Sequence, residues 1–324
     1  MVRPAADRIG RALDLLGDQW VLLILQQAFA GVRRYNDWKH ALGISDAVLA
    51  ARLRSLVDVG VLSRQPYRDE RRMREEYRLT GTGLALWEVL TAIWAWEYRW
   101  VPGRTDELPV LFHDRCERPC VPVLACRACD APVTARDTST ERHGRVGEVA
   151  TRRRFRRSDW GAIADHPELF FPETMAILGD RWSTALTAAA FLGVGRFSEL
   201  ERELGIQPSV LSQRLSALVD QGVLERRQEA GRRAVHYGLT EKGLAFFPVF
   251  ALMIAWADRT FTDAPCSLTI RHRACGERLR PALRCDVCGL RLERRHVHFA
   301  RRDAPRSPAA SPLPPDRRPS PTAR

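Results

Sequence analysis

Eight residues of this 324-residue chain have the types and spacing of metal ligands. His113 and Cys116, followed by Cys126 and Cys129, read H-x2-C-x9-C-x2-C. His272, Cys275, Cys285 and Cys288 repeat that spacing. Two close ligand pairs separated by a short hairpin suit a tetrahedral Cys3His zinc site. The spacing predicts two structural Zn2+ sites per chain, one inside each segment, with Arg115, Arg127, Arg273 and Arg284 offsetting the thiolate charge. Four protein ligands leave no open position for catalysis. Cys120 and Cys266 fall outside the repeat, although Cys120 is an alternative ligand to His113. Two other chemistries stay open for the C-x-x-C pairs: a redox switch or disulfide, and inert buried thiols.

A second set of residues has the chemistry of a nucleic-acid reader. The stretch over residues 16–62 returns over residues 178–224 without a gap: LLGDQW becomes ILGDRW, and VLAARLRSLVDVGVL becomes VLSQRLSALVDQGVL. A repeat of that length makes the chain two copies of one domain. In each copy a helix capped by Asp18 or Asp180 leads to a short helix, with Asn36 and Ser198 as its cap candidates. A turn at Gly43 or Gly205 follows, then a further helix over 45–59 or 207–221. Leu49, Leu53 and Leu56 share one face of that helix and point into a core. The other side, Ser45, Ala47, Val48, Ala51, Arg52, Arg54 and Ser55, is mostly small or polar. In copy two it carries Gln207, Ser209, Ser212, Gln213, Arg214 and Ser216. Such side chains can lie against base edges. Two strand signals, Val61-Leu62 with Tyr77–Leu79 and Val223-Leu224 with Tyr237–Leu239, then flank an arginine-rich turn. Arg68, Arg71, Arg72, Arg74, Arg232 and Arg233 there have the chemistry to neutralise phosphates. The same arginines would also suit a solvated hairpin tip.

Both copies resemble the HxlR-type winged helix-turn-helix transcription regulators. The resemblance rests on LGDQW/LGDRW, GVRRYNDW/GVGRFSEL, the helix pair above and YRLTGTG/YGLTEKG. It implies DNA-binding regulators, normally homodimers, whose recognition helices enter adjacent major grooves. Many thiol- and quinone-sensing members carry a cysteine just before the first helix. Here no cysteine precedes Cys116, so copy one departs from that pattern.

The elements that must position these residues follow. A first helix covers Arg8–Leu16. After each wing a long helix, LALWEVLTAIWAWEYRW or its counterpart around 244–261, is apolar on more than one face. A helix apolar nearly all round is covered on both sides. The two long helices are therefore expected to meet, making an intrachain pseudo-dimer, with Pro248 kinking the second. The tryptophan-rich zone between them is a candidate enclosure for a small aromatic effector, and packing alone explains it at least as well. The expected fold is mainly α with small β wings: two winged helix-turn-helix domains in tandem, each followed by a small zinc-ribbon-like Cys/His segment. The divisions are 1–105, 106–138, a basic linker over 139–166, then 167–264, 265–299 and a disordered tail over 300–324.

The formal charge of +12 favours an acidic partner. Double-stranded DNA fits best, bound by a monomeric pseudo-dimer. No signal segment is read at the N-terminus, and the apolar run at 20–25 is too short to span a bilayer. The expectation is a cytoplasmic protein without a membrane partner. No phosphate-binding glycine loop, nucleophile elbow or paired catalytic carboxylates are read, so an enzyme is not expected. The functional expectation is a regulator, a repressor, reading an asymmetric pseudo-palindromic operator. The alternatives are a redox- or ligand-responsive regulator and a winged-helix interaction module without DNA.

Overall fold

The computed structural model describes residues 7–69, 72–143, 171–228 and 235–300. The basic run at 152–157, most of the expected linker and the tail beyond Ala300 lie outside them.

Copy one opens with α1 (Arg8–Leu16), α2 (Gln19–Phe29), α3 (Tyr35–Leu42) and α4 (Asp46–Asp58). Copy two repeats them as α8 (Pro172–Leu178), α9 (Arg181–Phe191), α10 (Phe197–Leu204) and α11 (Pro208–Asp220). The short helices begin earlier than expected. Arg34 and Arg196 are their N-caps, which places Asn36 and Ser198 inside the first turn. Gly43 and Gly205 make the turn to the next helix at φ of 58° and 61°, a left-handed conformation that glycine adopts without a side-chain clash. Leu49, Leu53 and Leu56 are buried on α4, as Leu211, Leu215 and Leu218 are on α11.

The Gly-Asp-x-Trp motif has a double duty. The Asp18 carboxylate accepts a hydrogen bond from the Val21 N–H at 3.2 Å and meets Arg52 of α4 at 2.8 Å. Asp180 accepts from the Trp182 and Ser183 N–H groups and meets Arg214 of α11 at 3.1 Å. One acidic residue thus caps the second helix of each copy and ties the recognition helix to it.

The wings are antiparallel hairpins: β1 (Leu62–Asp69) with β2 (Arg72–Leu79), and β7 (Leu224–Gln228) with β8 (Val235–Leu239). Thr80 and Thr240 then cap one-turn helices, α5 (Gly81–Leu84) and α12 (Glu241–Leu244). A Cβ at Gly83 or Gly243 would run into the carbonyl of Val61 or Val223, which explains the glycine in both copies. The long helices α6 (Trp87–Trp100) and α13 (Phe247–Thr260) start anew after a break. Pro248 therefore sits in the first turn of α13, where its missing N–H costs nothing, and the interruption at 245–246 precedes it; copy one has the same interruption at 85–86 without a proline.

The long helices meet across a pseudo-two-fold axis. Trp96 Nε1–H donates to the Lys242 carbonyl at 3.0 Å, and Trp256 Nε1–H donates to the Thr82 carbonyl at 3.0 Å. Such reciprocal contacts are what an isologous dimer interface makes, here inside one chain. Phe246 packs edge-on against Trp96 at 4.9 Å. Of the two readings of the aromatic zone, effector enclosure and plain packing, the structure shows packing. The stretch Glu241–Thr260 has the length and mean hydropathy of a membrane span, but 56% of that window is buried inside the protein. Phe246, Val249, Met253 and Trp256 fill the shared core.

Glu97 is fully buried in that interface. It accepts a hydrogen bond from the Thr174 N–H of α8 at 2.8 Å, and Arg104 of the one-turn helix α7 (Arg104–Glu107) stands 3.7 Å away. Burial pushes its pKa up to about 7, against the pull of Thr174 and Arg104. The native state therefore holds this proton above the pH at which the unfolded chain releases it. Stability is expected to fall by about 3 kcal/mol as pH rises from near 4.5 to beyond 7. In urea titrations across that window, Glu97→Gln should flatten this part of the profile; an unchanged slope would show that Glu97 is not its source.

The cysteine segments depart from the expected layout. Copy one supplies β3 (Val110–His113), β4 (Arg118–Pro119), β5 (Val123–Cys126) and β6 (Thr138–Arg142). Copy two supplies β9 (Leu268–His272), β10 (Pro281–Arg284) and β11 (Val297–Ala300). They do not form two separate ribbons. β5 pairs with β10, β3 with β11 and β6 with β9, all antiparallel and all between copies. The physical reason is burial. Leu124 and Leu283 sit opposite each other in the β5–β10 pair, both buried, and neither short segment has enough apolar surface for a core of its own. Strand β6 also crosses the expected boundary between segment and linker at residue 138.

Candidate metal centres and nucleic-acid interface

Strand pairing between copies repartitions the eight ligands. His113 and Cys116 join Cys285 and Cys288; Cys126 and Cys129 join His272 and Cys275. The eight residues are those expected from sequence, but each cluster takes one pair from each copy. This corrects the expectation of one site inside each segment. The cause is that the β5–β10 pair lays the second knuckle of each copy beside the first knuckle of the other.

Donor spacing fits a tetrahedral ion. Zinc–sulfur and zinc–nitrogen bonds of about 2.3 and 2.0 Å imply edges of about 3.8 Å between sulfurs and about 3.5 Å between sulfur and nitrogen. Cys116 Sγ lies 3.8 Å from Cys285 Sγ and 3.5 Å from His113 Nδ1, and Cys288 Sγ lies 3.3 Å from the same nitrogen. In the other cluster, Cys129 and Cys275 Sγ lie 3.3 and 3.4 Å from His272 Nδ1. The electrostatics are divided: burial raises the Cys116 thiol, and, against the pull of the Glu277 N–H, the Cys275 thiol is raised too by burial, Cys129 and Cys126 together. Burial lowers the pKa of His113, with Asp114 opposing, and favours the neutral ring that a metal needs. Burial raises Cys126, but N–H groups of Ala128, Arg280 and Cys129 outweigh it and hold the thiol below its usual value. Cys288 follows the same pattern, with the Leu290 N–H as its first backbone partner. Cys120 sits beside Cys285 and Asp286 rather than replacing His113, and burial pushes its thiol well up.

The recognition helices present different outer faces. On α4, Ala47 and Arg54 are exposed, Ala51 and Ser55 are half-buried, and Ser45 is the exposed N-cap. On α11, Ser209, Ser212, Gln213 and Ser216 are exposed, preceded by the Gln207 cap. Three expected contact residues lie elsewhere. Arg52 and Arg214 turn inward to Asp18 and Asp180, and Val48 packs against the core. A pairing between a helix arginine and an aspartate some thirty residues earlier is invisible to helical periodicity, although both partners recur in both copies. On the first wing Arg68, Arg72 and Arg74 are exposed. Arg71, Arg232 and Arg233 lie outside the described residues.

The chain matches the HxlR-like helix-turn-helix family over residues 15–105 and 177–264, more than half its length. It belongs to that family. This HxlR-like chain is 40% identical over 136 residues to Rv3095 of Mycobacterium tuberculosis, an uncharacterized HTH-type transcriptional regulator. The alignment covers 42% of this chain and 85% of that relative. The HTH-type transcriptional regulator YodB of Bacillus subtilis is 34% identical over 87 residues, covering 26% of this chain and 77% of YodB. Among solved structures, PA1607 is 38% identical and covers 39% of this chain and 88% of its own, with a TM-score of 0.34. Rv3095 and YodB each align with less than half of the HxlR-like chain, which with the two family matches is consistent with a tandem fusion of two family domains.

Proposed function

We propose that this HxlR-like protein is a cytoplasmic transcription regulator, a repressor, that binds double-stranded DNA as a monomer. Its two recognition helices would enter successive major grooves of an asymmetric pseudo-palindrome, with wing arginines on the phosphates. The observation that carries this reading is the inequality of the two exposed helix faces. Copy two offers amide and hydroxyl groups along the helix, Gln213, Ser209, Ser212 and Ser216; copy one offers mostly methyl groups and Arg54, with Ser45 at its cap. An amide can bond adenine in both directions, whereas methyls favour the thymine methyl. The reciprocal tryptophan contacts support the monomeric state, because they supply within one chain the interface that family homodimers build from two.

Both Cys3His clusters would hold structural Zn2+: His113, Cys116, Cys285 and Cys288 in one, Cys126, Cys129, His272 and Cys275 in the other. The ion supplies cross-linking rather than reaction chemistry, since all four tetrahedral positions belong to protein. Bound there, it would fasten the two copies at the ends of the long helices.

Selection of bound duplexes from random DNA tests the reading. Two unequal half-sites about one helical turn apart are expected. Gln213→Ala should relax base preference in one half only, at a cost of about 1–3 kcal/mol. A symmetric palindrome, or no enrichment, would refute the proposal; no enrichment would favour a winged-helix module that binds protein.

A further inference from the structure

The two copies differ sharply at one pseudo-equivalent place. Each long helix forms a groove with the ribbon strands beside it. In copy one the groove is nearly filled: Trp94 stacks on Tyr98 at 4.9 Å, and a recess of only about 110 Å3 remains, with Asp286 as its charged wall. In copy two, Ile254 and Asp258 stand where Trp94 and Tyr98 stand in copy one, and Arg127 stands where Asp286 does. The result is an open cleft of about 420 Å3.

The lining of that cleft has a definite chemistry. Arg8, Arg127, Arg259, Arg278 and Arg280 face it, against a single carboxylate, Asp258. Asp258 is engaged by Arg8 at 3.4 Å and by Arg278 at 2.5 Å, and Arg127 reaches Glu88 at 2.8 Å. Among the described residues no carboxylate lies within 4.0 Å of the Arg259 or Arg280 guanidinium, although Glu88 and Asp258 act on Arg259 from farther away. Arg259 is exposed at the cleft, and desolvation lowers its pKa, opposed by Glu88, reinforced by Arg127 and opposed again by Asp258. Below the guanidinium groups the floor is apolar, made by Ala251, Ile254, Ile270 and Leu279. The volume falls in the range of small-molecule sites, and the half-charged lining sets a cationic rim over an apolar floor. Guanidinium forks suit a carboxylate.

We infer that this cleft binds a small organic carboxylate with a flat apolar body. Arg259 and Arg280 hold the carboxylate, and the floor of Ile254, Ile270 and Leu279 takes the hydrocarbon. The site spans both copies, since Arg8 and Arg127 come from the first and the rest from the second. Occupancy therefore bears on how the two halves sit, and so on the spacing of the reading heads; that consequence rests on the DNA-binding reading.

The test is calorimetric titration of the intact chain, without DNA, using 2-naphthoate as the probe. Saturable one-to-one binding is expected, at least tenfold tighter than 2-naphthalenemethanol and tighter than inorganic phosphate. Arg280→Gln, at an exposed side chain, should weaken it about tenfold. Ile254→Trp, which restores the side chain of copy one, should abolish it, with circular dichroism showing that both variants stay folded. No binding at millimolar 2-naphthoate, equal binding of the alcohol or of phosphate, or unchanged binding in both variants would overturn the inference. A chain that binds 2-naphthoate but no DNA would refute the proposed function and leave the site standing.

Discussion

Raising salt from 50 to 200 mM should weaken DNA binding about a thousandfold. The argument is counterion release: neutralising roughly six phosphates gives a log–log slope near −5, and a fourfold rise in salt then costs about three powers of ten. The structure says which cations are available. Arg68 and Arg72 on the first wing and Arg54 on α4 are exposed, whereas Arg52 and Arg214 are spent on Asp18 and Asp180. Replacing both Arg68 and Arg72 by glutamine should reduce the slope by about two without changing which sequence is preferred. Mobility shifts over a salt series check both points. Binding insensitive to salt, or a variant with altered base preference, would oppose the assignment of the wing to phosphates.

Removal of metal should unfold the joint ribbon platform and loosen the two copies. Zinc binding to small Cys/His segments supplies on the order of 10 kcal/mol of folding free energy. Ions bound in the two clusters would hold β3, β5, β9 and β10 together across the pseudo-axis, adding to the burial of short apolar rows such as Leu111, Leu124, Leu279 and Leu283. A strong chelator should therefore lower the melting temperature markedly, expose the cysteines to thiol reagents and restore the original melt on addition of two equivalents of Zn2+. A melt unchanged by chelation, with thiols already protected as C-x-x-C disulfides in reducing buffer, would point to redox chemistry instead.

Much of this architecture was legible in the chain. The repeat located both winged domains, and Leu49, Leu53 and Leu56 fixed the buried face of α4 because helical period is a local property. Apolar residues all round α6 implied a second covering surface, which is α13 and its Trp256–Thr82 contact. The metal ligands were also legible as residue types at fixed spacing. Their partition was not. Spacing records which side chains lie on one knuckle, but which knuckles meet depends on strand pairing between distant segments, and β5 reads the same whether it pairs within its copy or with β10. Arg52 shows a similar limit: on a helical wheel it borders the outer face, and only the position of Asp18 in space turns it inward. The open cleft of copy two was illegible for a third reason. It comes from what Ile254 and Asp258 fail to fill, which becomes visible only beside Trp94 and Tyr98.

The crossed pairing of ligands is the claim on which the account of this chain as a stapled pseudo-dimer depends most. Zinc content of two double variants tests it directly. Cys116→Ser with Cys288→Ser removes two ligands from one crossed cluster and should leave one zinc per chain. Cys116→Ser with Cys129→Ser removes one ligand from each and should leave none. The reverse outcome, no zinc in the first variant and one in the second, would show that each segment closes on itself and would contradict the crossed arrangement.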